Sequence, residues 1–174
     1  MAQHYWEQWE PFARSIPHCL TSADILYTDT PSKIEIYDHL LRNGTRLESI
    51  FISWTPDTTF PLFIHHTSHL RSLVVKGIKL DTHSQLLKSI PTQLTKFGLA
   101  DTCGPGMLQL LEVVGQCKFI TSLKLDNVLM WQSGWQSFQQ FCYNHSACFQ
   151  NITRLHLGLV TSLSKSTLLH ILSV

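Results

Sequence analysis

Apolar residues recur along the chain in one short pattern, apolar-x-x-apolar-x-apolar. It occurs at Leu47/Ile50/Ile52, Leu70/Leu73/Val75, Leu94/Phe97/Leu99, Ile120/Leu123/Leu125 and Ile152/Leu155/Leu157, with a weaker copy at Leu20/Ala23/Ile25. The last two apolar positions of each copy are separated by one residue, the period of a β-strand that buries one face. Between first positions, successive copies lie 27, 23, 24, 26 and 32 residues apart. Such triplets are common in any chain rich in aliphatic residues. The even spacing is what marks a repeat, and periods of about 20–50 residues belong to solenoids and related arrays.

Turn and helix signals follow the copies. Thr30-Pro31 reads as an N-cap with proline at the first helical position, where its missing N–H costs nothing. Ile34, Tyr37 and Leu41 then share one helical face until Asn43-Gly44 ends the segment. Asp81 to Ser84 precede a second helical stretch with Leu86, Leu87 and Ile90, stopped by Pro91. Gly104-Pro105 opens a third, with Met107, Leu110, Leu111 and Val114 at i, i+3, i+4 and i+7. Ser133 and Gln136 have the spacing of a capping box ahead of Trp135, Phe138, Cys142 and Phe149, the longest helical stretch. Ser164 or Ser166 caps a last one carrying Leu168, Leu169 and Leu172.

Strand, turn and helix therefore alternate five or six times. Each unit has one apolar side and cannot bury it alone, so stacking the units makes a continuous core. The expected fold is α/β, a short solenoid with parallel strands on a concave face and helices on a convex one. Residues 1–19 are expected to cap it and residues 20–174 to form the repeats. The rival is a doubly wound α/β sheet, whose βαβ unit takes about 30 residues or more. Steps of 23, 24 and 26 are short for that, and no Gly-x-Gly-x-x-Gly or Walker-type loop is present.

The stretches Leu70-Arg-Ser-Leu-Val-Val, Ile120-Thr-Ser-Leu-Lys-Leu-Asp-Asn and Ile152-Thr-Arg-Leu-His-Leu resemble leucine-rich repeats, most closely the helix-containing, ribonuclease-inhibitor-like type. The resemblance covers residues 20–174 and implies a horseshoe. That family places Asn or Cys three residues after the last strand leucine. Here the positions hold Thr55, Ile78, Thr102, Val128 and Val160, with Cys103 and Asn127 one residue away. Either the turn ladder is degenerate or the register shifts by one in some copies. The opening, with Trp6, Trp9, Phe12 and Ile16-Pro17, is similar to the region after the F-box in fungal-type F-box/leucine-rich-repeat proteins, although an F-box itself is absent. That resemblance implies substrate recognition for ubiquitin ligation, and the missing box removes what would dock the ligase adaptor.

Composition narrows the classes further. The chain is 44% hydrophobic and 14% charged with a formal net charge of +1. It is too apolar for disorder and too poorly charged for a coiled coil. Its scattered Lys and Arg argue against nucleic acid or an anionic membrane as the main partner. No apolar run approaches the roughly 20 residues of a transmembrane helix. The polar and aromatic start is unlike a secretory leader. The expected setting is therefore intracellular, cytoplasmic or nuclear, with Cys19, Cys103, Cys117, Cys142 and Cys148 free and mostly buried. The chain stops at Val174 in an apolar stretch with no polar cap, which points to self-association through that end or to further repeats.

Candidate chemistry is sparse, and neither catalytic residues, a metal site nor a cofactor is expected. His65, His66 and His69 are the densest titratable cluster; His65 and His69 would share a helical face as zinc ligands do, but no third ligand is apparent. They carry the alternative reading, a hydrolytic or metal-dependent enzyme on an α/β scaffold. Cys142, His145 and Cys148 read more simply as core and surface positions of the long helix. The favoured reading is an interaction scaffold. Strand residues that alternate with the inward leucines face the open side, namely Phe51, Ser53, Val74, Lys76, Gly98, Ala100, Lys124, Asp126, His156 and Gly158. Of these, Phe51, Ser53, Val74, Lys76, Lys124, Asp126 and His156 are the expected contacts for a protein or peptide partner.

Overall fold

The computed structural model of the 174-residue chain describes residues 11, 19–26, 31–53, 68–80, 84–104, 106–127 and 150–158. These form six strands, β1 (Ser22–Leu26), β2 (Ser49–Ser53), β3 (Ser72–Lys76), β4 (Lys96–Ala100), β5 (Ser122–Asp126) and β6 (Arg154–Leu157). Three helices are α1 (Pro31–Asn43) between β1 and β2, α2 (Gln85–Ser89) between β3 and β4, and α3 (Met107–Gly115) between β4 and β5. Every copy of the apolar pattern, the weak first one included, is a strand. The stretches around Ser133–Phe149 and after Ser164, read as helices from the sequence, lie outside the described residues, as do His65 and His66.

All six strands are parallel, in the order β1-β2-β3-β4-β5-β6. That order fits a repeat solenoid and argues against the doubly wound sheet. A doubly wound sheet reverses direction at a switch point, and a monotonic order has none. Crossovers between parallel neighbours are right-handed almost without exception, so a monotonic series places its connections on one face.

The register explains why the apolar pattern is so regular. Ala23, Ile50, Leu73, Phe97, Leu123 and Leu155 are Cα partners in one row across the sheet, and Ile25, Ile52, Val75, Leu99, Leu125 and Leu157 in the next. From Ile50 to Leu125 both rows are buried. The first apolar residue of each copy makes a third buried row, with Leu47, Leu70, Leu94 and Ile120. Leu41, Leu86, Leu110 and Val114 come onto this core from the three helices, so strands and helices share one cluster. Helices α2 and α3, from successive copies, also touch each other.

Helix boundaries follow local chemistry. Pro31 starts α1. The Ser84 hydroxyl accepts the Leu86 N–H at 3.3 Å and caps α2. Gly106 opens α3 without a side-chain cap, and the Gln116 N–H closes it onto the Val113 and Val114 carbonyls.

The repeat is also written in bonds between copies. The carbonyl just before each strand accepts two N–H groups from the next copy. Thr21 accepts from Glu48 and Ser49, Glu48 from Arg71 and Ser72, Arg71 from Thr95 and Lys96, Thr95 from Thr121 and Ser122, and Thr121 from Thr153 and Arg154. Three threonine hydroxyls reinforce this ladder: Thr95, Thr121 and Thr153 each donate to the equivalent carbonyl one copy back, at 3.1, 3.3 and 3.3 Å.

Past the strands, the turns of two copies stack as well. Lys79 and Cys103 form a parallel bridge, so Ile78 faces Thr102. The register at these two copies is therefore the one read from the sequence, and the turn ladder is degenerate there. Both positions are buried, and the Thr102 hydroxyl donates to the Ala100 carbonyl at 2.9 Å. Asn127, one residue earlier in its own copy, is equivalent to Asp101 and Gly77. All three adopt the left-handed conformation that turns the chain out of its strand, with φ 48°, 48° and 70°.

Candidate functional site

Strand alternation leaves a second face opposite the core, carried by three rows of side chains. The first holds Ser22, Ser49, Ser72, Lys96, Ser122 and Arg154; the second Asp24, Phe51, Val74, Gly98, Lys124 and His156; the third Leu26, Ser53, Lys76, Ala100 and Asp126. Neighbours along a row are about 4.8 Å apart, and successive rows about 6.6 Å.

The residues expected here from the sequence do share this face, but their exposures differ. Lys124 and His156 are exposed, and Phe51, Val74, Lys76 and Asp126 are half-buried. Ser53 corrects the expectation: it is only 5% exposed. It lies in register between Leu26 and Lys76 of the flanking strands, and its short side chain projects less than either. Gly98 is buried too, since it has no side chain to project, and it leaves a dip between Val74 and Lys124. Of the expected buried thiols, Cys117 is buried, Cys103 is half-buried and Cys19 is exposed.

The face is divided in character. The middle of β2–β4 is apolar and shallow, with Phe51, Val74 and Gly98, and Ala100 beside it. Charged side chains surround this patch, most of them on β5, β6 and the ends of β3 and β4. At the carboxyl ends of the strands the charges are paired: Lys76 Nζ lies 3.3 Å from Asp101 Oδ2, and Lys124 Nζ 3.6 Å from Asp126 Oδ2. Asn127 Nδ2 donates to Asp101 Oδ1 at 2.7 Å. The Asn127 donor, and next the Lys76 ammonium, hold the Asp101 carboxyl below its ordinary value of 3.8. At the amino ends Lys96 and Arg154 flank Ser122 and, among the described residues, make no ion pair. Sequence reasoning missed these two. The same alternation that selected Gly98 and His156 would have found them, two residues earlier on each strand.

Of the histidine cluster only His69 is described, and it is exposed. Among the described residues no three His, Cys, Asp or Glu side chains gather where they could hold a metal ion. No described helix is long and apolar enough to cross a membrane. A cavity of about 200 Å³ between β1 and α1 is walled mainly by Leu20, Ala23, Tyr37, Leu41 and Leu47. Its size is below the roughly 300–1,000 Å³ of small-molecule sites.

No protein-family model matches the chain, and neither does any curated protein sequence. Among solved structures it is similar to the tropomodulin C-terminal domain from Caenorhabditis elegans, with a TM-score of 0.57 over 84% of this chain and 90% of that one, at 13% identity. That domain has a leucine-rich-repeat-type fold. At such an identity the likeness concerns the fold: an α/β chain with a six-stranded parallel sheet of the leucine-rich-repeat kind.

Proposed function

We propose that this chain is a protein-interaction scaffold that binds a protein or peptide segment on the open face of its sheet. One observation carries the reading. The two faces of a single parallel sheet differ completely, one sealed by three apolar rows and the other left with Val74, Lys76, Lys124, Asp126 and His156 at least partly in water. A stacked series that curves as leucine-rich repeats do makes this second face concave, with the helices outside. It is then a broad, shallow surface suited to another polypeptide, since its described residues enclose no pocket. On this reading the chain is not an enzyme and acts by holding its partner. The tropomodulin-like fold supports a scaffold without naming what is held. Substrate recognition for ubiquitin ligation remains one setting for it, resting on the opening aromatic segment alone.

The test is affinity capture from native extract with three chains: the wild type, Val74→Trp, which fills the dip over Gly98, and Glu112→Lys on exposed α3 as a control. Thermal melts verify that all three fold. A protein retained by the wild type and by Glu112→Lys but lost from Val74→Trp supports the open face. Ligase subunits among the retained proteins support the ubiquitin setting. Equal retention by all three overturns the assignment of the face.

A further inference from the structure

Within that reading, the charges on β4–β6 single out the partner's chemistry. Lys96, Lys124, Arg154 and His156 all project from the open face and all are exposed. Among the described residues one carboxylate shares this end of the face, Asp126, and it is paired with Lys124. Asp101 is engaged by Lys76 and Asn127 at the far rim. Lys96 and Arg154 are left, one strand either side of Ser122, with no anion of this chain beside them among the described residues. The chain as a whole is nearly neutral, +1, so this local excess of cations is a property of the face.

We infer that the open face takes an acidic peptide segment across β4–β6, its carboxylates on Lys96 and Arg154 and its apolar side chains on the neighbouring Phe51/Val74/Gly98 patch. This rests on the scaffold reading above. The spacing favours carboxylates. Lys96 and Arg154 are two strands apart, about 10 Å, and do not converge on a point. A phosphate dianion is best held by several donors closing on one group, whereas separated single cations suit a series of separate single anions. A nucleic-acid backbone would need a longer basic track than four side chains supply. Ser122, between the two cations, adds a neutral hydroxyl able to donate to a carboxylate or to a peptide carbonyl.

The test pans a phage-displayed library of random peptides, about twelve residues each, against the wild-type chain, and reads the affinities of resynthesised winners by fluorescence anisotropy. The inference expects winners enriched in Asp and Glu. Each exposed charge contact contributes modestly, so Lys96→Glu/Arg154→Glu together should weaken them by about tenfold or more. The neutral pair Lys96→Gln/Arg154→Gln should weaken them less, and raising salt from about 50 to about 300 mM should weaken wild-type binding severalfold by screening. Winners without acidic enrichment that are unmoved by these charge changes but lost on Val74→Trp overturn the acidic partner and leave the open face standing. Winners indifferent to all three variants overturn both. A phosphoserine version of a winner binding more than about tenfold tighter than its carboxylate form also overturns the inference, by assigning the site to phosphate.

Discussion

Replacing Gly104 by alanine tests whether successive turns stack as the structure has them. Gly104 has φ +127°, a region closed to residues with a side chain. An added Cβ would also overlap the Leu80 carbonyl oxygen and lie 2.9 Å from both the Leu80 carbonyl carbon and nitrogen. The obstacle is backbone, and it is held firmly. The Leu80 N–H donates to the Cys103 carbonyl at 2.7 Å, the Leu80 carbonyl accepts from the Gly106 N–H at 3.0 Å, and the Leu80 side chain is fully buried. Relief therefore requires moving the two turns apart and loosening those bonds. The conformational cost is about 1–3 kcal/mol, and loosening a buried hydrogen bond adds about 1–3 kcal/mol. Gly104→Ala should then destabilise the chain by about 2–6 kcal/mol, lowering Tm by roughly 4–24 °C for a chain of this size. Gly98→Ala is the control. Gly98 lies outside the left-handed region, and its added Cβ meets the Val74 methyls at 3.2 and 3.3 Å and Lys124 Cβ at an ordinary 3.6 Å. The obstacle is a half-exposed side chain rather than backbone, so that change should stay within about 1 kcal/mol of the wild type. Urea unfolding followed by circular dichroism measures both. A Gly104→Ala loss below about 1 kcal/mol, or one no larger than that of Gly98→Ala, would refute the stacked-turn geometry.

Three further predictions follow from the same ladders. Leu99→Ala, at the middle of the second buried row, should cost about 2–5 kcal/mol in urea unfolding, and a loss under about 1 kcal/mol would show that the row is not close-packed. Gln93 and Asn151 occupy the same position in their turns and donate to the Ser68 and Lys118 carbonyls one copy back, at 3.1 and 3.3 Å, whereas Phe119 holds that position in the intervening copy and is 63% exposed; Phe119→Asn should restore the bond and raise stability by about 0.5 kcal/mol, and a fall in Tm would mean that the ring is held by contacts the copy needs. The lowered Asp101 pKa means that its ionised form favours the folded chain at pH above the ordinary 3.8 and that this contribution is lost as pH falls through the lower folded value; Asn127→Ala should move the Asp101 titration back towards 3.8 in carboxyl NMR, and an unmoved titration would show that Asn127 is not its main partner.

The strands were legible because one face of each is buried, so a period-two apolar pattern had to recur at every copy, and even the weak Leu20/Ala23/Ile25 copy pairs in register with the next. Helices α1, α2 and α3 were legible from Pro31, Ser84 and Gly104-Pro105, residues with a local physical reason to start a helix. Bonds between copies were not. Thr95, Thr121 and Thr153 look unremarkable singly, and their hydroxyls donate to residues 24, 26 and 32 positions away. Aligning the copies on their strands would have shown the threonine column. For the open face, alternation told which side a residue takes but not what stands beside it. Ser53 proved buried for that reason, and alternation placed Lys76, Lys124 and Asp126 on the face without showing the pairs Lys76–Asp101 and Lys124–Asp126. Lys96 and Arg154 stand one residue before the inward Phe97 and Leu155, at positions the apolar pattern leaves unspecified.

The central claim is that the partner meets the open face of the sheet, and photocrosslinking reads this most directly. A benzophenone amino acid is placed in turn at Val74, at Lys124 and at exposed Glu112 on α3, and each chain is irradiated in native extract. The account predicts that one and the same protein is captured covalently from the Val74 and Lys124 positions and not from Glu112. Capture from Glu112 alone, with nothing from the sheet, would contradict it.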